Sequence, residues 1–407
     1  MEAIVQLIRR WGNFGRKVLN RVRRNSFVQE KLDRIDAEII DLDRPETYKR
    51  AKSDISHLAC LRKRTSTALM SPSVIWGPYP AAFSENHRAR LEPLPGLNLV
   101  ELRNARLVPP GLAVTHAGQM VFSCRQFSPA TIRQQWLKGM PAGQFPSTGK
   151  HDGSRPLVCL VRPGDHIFGH WLVDLLPIAW LAEKERPGEM NFLLSTEAPL
   201  FAIQLLRYLG IAENRLLRWD RKQGALDVPC LWMISPLRFN QFSHPMLKDF
   251  ALDIREKLFP EMSRIETHRR IWISRRAWHA EKGKNFRVLT NAGEIEDAAK
   301  NFGFHCVQPE ILSFPDQVAL FANAECVAGE DGSALHMSLF AHSNLRVGNF
   351  RSDANGSLIQ GSLCGVTGQP ISYVFGVAVD KQTKGRSANF SIDLADAEKL
   401  FASMTSA

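Results

Sequence analysis

The chain has 407 residues, 44% hydrophobic and 23% charged, a composition that excludes wholesale disorder and a length that calls for two domains with a short appendage. Its seven cysteines are scattered, odd in number and never in a CxxC pair, which argues against a disulfide framework or structural zinc and for a reducing compartment, a cytosol. The net charge of +11 is unevenly placed: seven cations (Arg9, Arg10, Arg16, Lys17, Arg21, Arg23, Arg24) face one anion (Glu2) within residues 1–24, which suggests a tether beside a near-neutral body and not a nucleic-acid-binding domain.

In that first segment Ile4, Leu7, Ile8, Trp11, Phe14, Val18 and Val22 recur at three- and four-residue steps and share one helical face. A basic amphipathic helix of this kind lies in an anionic membrane surface, with Trp11 and Phe14 among the headgroups. The alternative is packing on the body or on a partner chain. No stretch approaches the roughly 18–20 apolar residues that span a bilayer, and arginines interrupt every candidate core of a secretory signal. Residues 27–60 read as charged helix with a break near Arg44-Pro45. Residues 71–96, with Pro72, Pro78, Pro80, Pro93 and Pro95, read as irregular covering loops.

From about residue 97 the pattern changes to short strands, over 98–108 and 112–122, with Gly118 at a turn. A loop over 139–156 delivers an apolar strand over 156–163, and alternation begins: helix 169–186, strand 191–195, helix 199–211, strands 215–219 and 231–235, helix 244–258. A polar linker, 261–270, leads to a restart of the same rhythm. Strand 270–275, helix 293–303, strand 304–309, helix 313–324 opened by Ser313, strand 325–330 and helix 333–342 are followed by strands 345–350 and 371–379 and a terminal helix over 393–404. Strands separated by helices of about ten residues imply right-handed βαβ units. The pattern therefore predicts an α/β protein of two doubly wound, Rossmann-like domains facing a cleft. The boundaries are a basic helical segment over 1–60, a first domain over 61–262 and a second over 263–407.

Three segments carry residues suited to chemistry. In GEDGSALHMSLFAH (329–342), Gly329 and Gly332 permit close backbone approach, and the helix expected at Ser333 and Ala334 offers unpaired N–H groups to a diphosphate; the plain reading is a tight turn capped by Asp331. In HIFGHWLVDLLP (166–177), His170 and Asp174 lie four apart on one helical face. A neutral imidazole there suits removal of a proton from an acceptor hydroxyl, with its ring oriented by the carboxylate; the plain reading is a buried His–Asp hydrogen bond. His166 and His170 also have metal-ligand spacing, but no third ligand is evident and no metal is expected. In 270–296, Arg275 at a strand end suits a phosphate, and Asn291 and Glu294 sit at the next helix start, where Glu294 can accept ribose hydroxyls; the plain reading is a solvated loop with a helix cap.

Taken in order, these segments resemble glycosyltransferase family 61. The HWLxDxLP block of that family fits His170-Trp171-Leu172-Val173-Asp174-Leu175-Leu176-Pro177; a strand ending in SR fits Ser274-Arg275; RxxxNxxE fits Arg287, Asn291 and Glu294. Gly303-Phe304, Pro309-Glu310 and Ser313 to Ala324 match the next blocks, and the GxHGAGLTN turn corresponds to Gly329 to Met337. The chain departs at Asp331, where a histidine is common, at Ser333-Ala334 in place of Ala-Gly, and at Ile178, where a basic residue is frequent. The resemblance covers about 157–350. It implies a GT-B-like fold and an inverting, metal-independent glycosyltransferase with no cofactor beyond its nucleotide-sugar donor, acting on a glycan or glycolipid acceptor in cell-surface polysaccharide (capsule, exopolysaccharide or lipopolysaccharide) assembly. His170, Asp174 and Asp331 are then the catalytic candidates, and Arg275, Asn291, Glu294, Gly329, Gly332, Ser333 and Ala334 the donor-binding ones. A cytoplasmic protein, peripheral on the inner membrane face, is the expected setting. A nucleotide-sugar epimerase or hydrolase, or a non-catalytic membrane-associated scaffold, are the rival classes.

Overall fold

Apolar runs bounded by turn residues build two large sheets and two two-stranded ones in the computed structural model, which describes residues 39–41, 55–80, 83, 91–116, 118–122, 147–239, 241–262, 267–282, 287–379 and 387–406. The helix expected over 1–24 lies outside the described residues, as does most of the one expected over 27–60.

The first nine strands are β1 (Ile39–Asp41), β2 (Ile55–Arg62), β3 (Thr65–Ala68), β4 (Ile75–Trp76), β5 (Leu91–Leu94), β6 (Leu97–Val108), β7 (Leu112–Val114), β8 (Met120–Phe122) and β9 (Ser147–Lys150). Alternation of strand and helix then sets in with β10 (Leu157–Cys159), α1 (Leu176–Glu185), β11 (Asn191–Ser195), α2 (Leu200–Tyr208), β12 (Leu216–Trp219) and β13 (Ala225–Ile234), followed by the short hairpin β14 (Arg238–Phe239) and β15 (Phe242–Ser243) and by α3 (Met246–Met262). The first sheet runs β1-β8-β7-β6-β13-β10-β11-β12, with β2 also on β6 and β9 on β13. Only part of it follows the expected parallel scheme. β13, β10, β11 and β12 are parallel neighbours, whereas β6 runs antiparallel to β13, from Leu99 opposite Ile234 to Leu107 opposite Leu226, and β7 and β8 continue the antiparallel run. The first half is therefore a mixed sheet, not doubly wound throughout.

The second half opens with β16 (Arg270–Ile273), α4 (Arg276–Lys282), α5 (Ala292–Asn301), β17 (His305–Val307) and α6 (Phe314–Ala322). It continues with β18 (Cys326–Glu330), β19 (Arg346–Ser352), α7 (Ile359–Thr367), β20 (Ile371–Ala378), β21 (Phe390–Ser391) and α8 (Leu394–Thr405). Its parallel strands stand in the order β17-β16-β18-β19-β20, a doubly wound arrangement whose connections diverge between β16 and β18. Strand β4, from the first half of the chain, adds to this sheet in parallel with β20.

One apolar cluster joins the sheets: Leu160, Trp171 and Leu176 pack with Phe250 of α3 and onward to Phe314, Phe340 and Tyr373. The glycine at 365 serves a close approach between halves, since a Cβ there would stand 2.1 Å from the Ala68 carbonyl oxygen.

Several local expectations are corrected. Residues 55–62 form β2 on β6 and not a helix, because the backbone is taken up by sheet pairing despite the charges around it. The proline-rich stretch contributes β4 and β5. Helix α3 continues past Leu258 to Met262 with Pro260 in its last turn, where the missing N–H removes only one bond. Residues 168–185 are helical, but Trp171–Leu175 forms a π turn in which Leu176 N–H donates to the Trp171 carbonyl; this wider turn directly precedes Pro177. Residues 335–340 form a short 3₁₀ helix and not the α-helix expected over 333–342. Among the described residues no helix is long and apolar enough to cross a membrane, and the six described cysteines are free thiols.

Candidate functional site

Ligands of parallel sheets sit beyond the carboxyl ends of the strands, and in a doubly wound sheet at the point where the connections diverge. Here that point lies between β16 and β18, which end at Ile273 and Glu330 and release Ser274-Arg275 and Asp331-Gly332 side by side. In the first sheet the neighbouring ends of β10 and β13 lead to Arg162, His170 and Arg238.

The two groups meet through a glycine. A Cβ on Gly169 would stand 2.6 Å from Ser333 Oγ and 3.3 Å from His336 Cδ2, so the backbone before His170 lies directly on the turn after β18. A side chain at 169 would part them.

On the first-sheet side, Asp174 is 1% exposed. It accepts from Arg238 Nε and Nη2, each at 2.7 Å, and from His170 Nδ1 at 2.9 Å, and Arg162 Nη2 stands 3.4 Å away. Burial opposes its charge, yet the Arg238 and Arg162 guanidiniums hold this carboxyl well below the usual carboxylate range. An ionised carboxylate can only accept, so His170 Nδ1 carries a proton toward it, and in the neutral ring Nε2 is then the nitrogen with the lone pair. Asp174 is thus consumed in orienting His170 and is no longer a free base. The His170 side chain keeps a third of its surface exposed, with Gly164 packed on its Cδ2–Nε2 edge.

On the second-sheet side, a Cβ on Gly332 would stand 3.7 Å from Arg275 Nη1 and 3.8 Å from Arg287 Nη2, so two guanidiniums face this turn. The N–H groups of Gly332, Ser333 and Ala334 have no partner among the described residues; they precede Leu335 and His336, whose N–H groups donate back to the Gly332 and Ser333 carbonyls. Arg275 also lies over the Trp278 ring at 5.0 Å. Arg287 adopts φ 56°, a strained left-handed conformation for a non-glycine, and its Nη2 donates to the Asp331 carbonyl at 2.5 Å.

Asp331 accepts from Asn349 Nδ2 at 3.0 Å and Asn355 Nδ2 at 2.8 Å, with Arg287 Nη2 at 3.6 Å and Arg351 Nη1 at 4.0 Å. Burial raises its pKa, but Arg351 and Arg287 outweigh that and hold it well below the usual range. It is an anchored, neutralised carboxylate joining β18 to β19. It is neither a helix cap nor poised to take a proton.

Other predicted residues have different places. Gly329 lies within β18, where a Cβ would meet Ile273 Cβ at 2.8 Å; its smallness serves strand packing and not approach to a ligand. The Asn291 amide is bound on both sides by the Ile392 backbone, donating to its carbonyl and accepting from its N–H. Glu294 is exposed on the first turn of α5. His166 joins no cluster of three metal-ligating side chains among the described residues.

Sequence reasoning assigned no role to His336, Glu330, Arg238 or Arg162. His336 Nδ1 donates to Gln360 Oε1 at 2.9 Å, and Gln360 Nε2 in turn donates to Ser338 Oγ at 2.8 Å, which fixes the amide orientation. Burial lowers the His336 pKa and favours the neutral ring. A histidine five residues beyond Asp331 was the available signal. The arginines are too distant in sequence to pair by spacing.

A cleft of about 700 Å³ lies at the opposite, amino-terminal edge of the second sheet beside His268, Arg269, Arg346 and Glu325. Its Arg269 is spent on Glu325 and Arg270 on the Phe302 carbonyl, so the carboxyl-end junction remains the candidate site.

Residues 168–348 match the family model described as Glycosyltransferase 61, a span that contains His170, Asp174, Arg238, Arg275, Arg287 and the turn at 331–336, whereas Arg162, Asn349, Arg351, Asn355 and Gln360 lie outside it. No curated protein matches the chain.

Proposed function

We propose, on the premise that the chain belongs to glycosyltransferase family 61 and is thus a glycosyltransferase, that it moves a sugar from a nucleotide-sugar to a hydroxyl of a glycan or glycolipid with inversion at the anomeric carbon. The observation that carries the reading is the contact of Gly169 with Ser333 and His336, which sets an oriented imidazole beside three unpartnered N–H groups and two guanidiniums.

In this reading the donor diphosphate lies against Gly332, Ser333 and Ala334 and is gripped by Arg275 and Arg287. Glu294, exposed at the start of α5, reaches the ribose. His170 Nε2 takes the proton of the acceptor hydroxyl while that oxygen attacks the anomeric carbon, and the bond from that carbon to the diphosphate oxygen breaks. The nucleoside diphosphate leaves with the electron pair, and the imidazolium is balanced by Asp174. A single displacement inverts the centre. The negative charge of the leaving group is met by preorganised donors, which supports a metal-independent step.

Residues 61–262 are then the acceptor side and 263–407 the donor side of a GT-B-like pair. Residues 1–24 would hold the enzyme to the inner membrane face, in the cytoplasm, where surface polysaccharide is assembled.

The test is calorimetric titration with a panel of nucleoside diphosphates and nucleotide-sugars, with and without magnesium, beside Arg275→Ala. One nucleotide should saturate the protein. The variant should bind it about 10–100-fold more weakly, the worth of a charge-assisted hydrogen bond or two. Absence of binding at millimolar ligand would overturn the donor site and favour a scaffold, and turnover of donor without acceptor would favour a hydrolase or epimerase.

A further inference from the structure

Glu330 ends β18 at the point where the second sheet's connections diverge, is 4% exposed, and has a carboxylate oxygen, Oε2, with no hydrogen-bond partner. Arg275 Nη1 stands 3.8 Å from Oε2, and the same guanidinium reaches Gly332. A cavity of about 10 Å³, room for about one water, lies among Arg275, Arg287, Glu330, Asp331, Arg351 and Asn355. A buried carboxylate with a free oxygen beside the arginine assigned to the donor is an electrostatic contradiction: its charge competes with a diphosphate for the same cation.

We propose that Glu330 is a positioning residue that holds Arg275 before the donor arrives and takes up a proton when a diphosphate claims that guanidinium. The inference rests on the diphosphate site described above. The groups that face Glu330 and Arg275 are Arg275 itself beyond β16, Arg287 before α5, Glu296 on α5, Glu310 before α6, Asp331 beyond β18 and Arg351 on β19. Three of these six are cations, yet the Asp331 carboxylate already draws on Arg287 and Arg351, and Ser274 and Arg276 already bind Glu296. Arg275 is left as the cation within 4 Å of Glu330, with Arg287 acting from farther away.

Burial pushes the Glu330 carboxyl up to about 7 against the pull of Arg275 and Arg287, so both of its forms are present near neutrality. Engaging Arg275 with phosphate weakens that pull and adds negative charge nearby, which raises it further. The protonated form is the one that binds the diphosphate well, so affinity falls as pH rises through about 7.

The probe is inorganic pyrophosphate, titrated calorimetrically into the wild type, Glu330→Gln and Arg275→Ala from about pH 6 to about pH 8. The ligand's own ionisation is common to all three. Linkage predicts that wild-type affinity falls about tenfold relative to Glu330→Gln across that range. Parallel curves for wild type and Glu330→Gln, with Arg275→Ala weakened, would overturn the role of Glu330 and leave the donor site standing. No pyrophosphate binding by the wild type, or unchanged binding in Arg275→Ala, would remove the donor site and this inference together. A readout independent of the variants is the infrared band of a protonated carboxyl, which should grow in the wild type when pyrophosphate, but not chloride, is added near pH 7.5; a band that stays constant would equally overturn the proposal.

Discussion

Asp174→Asn is the sharpest perturbation of the junction. The native carboxylate meets three donors at 2.7, 2.7 and 2.9 Å and a fourth nitrogen at 3.4 Å, all in a site with 1% exposure. Asparagine has one acceptor oxygen and an NH₂ group, so whichever way it turns its NH₂ faces a guanidinium nitrogen, and in one of the two orientations His170 Nδ1 as well. Removing one partner of a buried ion pair costs about 3–5 kcal/mol, and with both Arg238 and Arg162 left uncompensated the upper part of that range is expected. Arg238→Met should cost a comparable amount. The double variant leaves only Arg162 without its counter-charge, so it should lose less than the sum of the singles by about 2 kcal/mol. Equilibrium unfolding in urea, followed by tryptophan fluorescence near neutral pH, measures all three. Turnover in Asp174→Asn should fall about 10²–10⁴-fold, because the imidazole loses the acceptor that keeps its proton on Nδ1. A single-variant cost under about 1 kcal/mol, or energies that add within about 0.5 kcal/mol, would refute the account of Asp174 as the shared counter-charge.

Gly169→Ala should fold but lose about 10²-fold in kcat/KM, because its methyl group would stand 2.6 Å from Ser333 Oγ; adding Ser333→Gly should restore activity, and failure to do so would show the contact is not the cause. Gln360→Leu strips the acceptor from the His336 Nδ1–H and should cost about 1–3 kcal/mol in urea unfolding with little change in nucleotide affinity. Stability should also carry two opposed pH terms. Asp174 and Asp331 are held low, so they stabilise the fold above the unfolded carboxylate range and that contribution is lost as pH falls below it. Glu330 is held high at about 7 against an ordinary 4.5, so the folded chain keeps a proton the unfolded chain loses; stability falls between those values as pH rises, and Glu330→Gln should flatten that slope in a series of unfolding midpoints.

What could be read from the sequence depended on how local its cause is. Asn191–Ser195 is a fully buried strand between turn signals and was found to the residue. The Ser313 cap, accepting from Asp316 N–H, opened α6 as expected. Strand β2 was misread because charges at helical spacing say nothing about β6, the partner that supplies its hydrogen bonds. The same divide runs through the site. His170 and Asp174 are four apart and share a helical face, so their pairing was visible. Arg238 reaches the same carboxylate across 64 residues, and Asn355 reaches Asp331 across 24, distances at which only the fold brings side chains together. Gly329 and Gly332 look alike in sequence, yet one makes room for Ile273 inside the sheet and the other faces two guanidiniums. Nor could composition foresee the π turn at 171–175, since its residues suit an ordinary α-helix.

Asp331 stands where a histidine is common in family 61, and a carboxylate beside the proposed diphosphate site repels that ligand unless cations intervene. Arg275, Arg287 and Arg351 stand against Glu330 and Asp331, with Glu296 held by Arg276 and Ser274 and with Glu310 facing Arg275, so the second-sheet side is near balance with every acid ionised and becomes positive when Glu330 is protonated. Across the Gly169 contact, Arg162 and Arg238 share the single carboxylate of Asp174, and that side retains positive charge. Arginine does not give up its proton in proteins, so the guanidiniums of both sides stay charged over the whole range in which the protein is folded. In the proposed donor site the Asp331 charge is thus offset by Arg287 and Arg351. Its two asparagine donors hold it away from bulk solvent and fix Arg287 by the main-chain carbonyl as well as the carboxylate. If the donor lies as proposed, an acid in that position acts on the diphosphate through the arginine it orders, and Asp331→Asn, which keeps the shape and removes the charge, should tighten a diphosphate only if ordering Arg287 matters less than the charge itself.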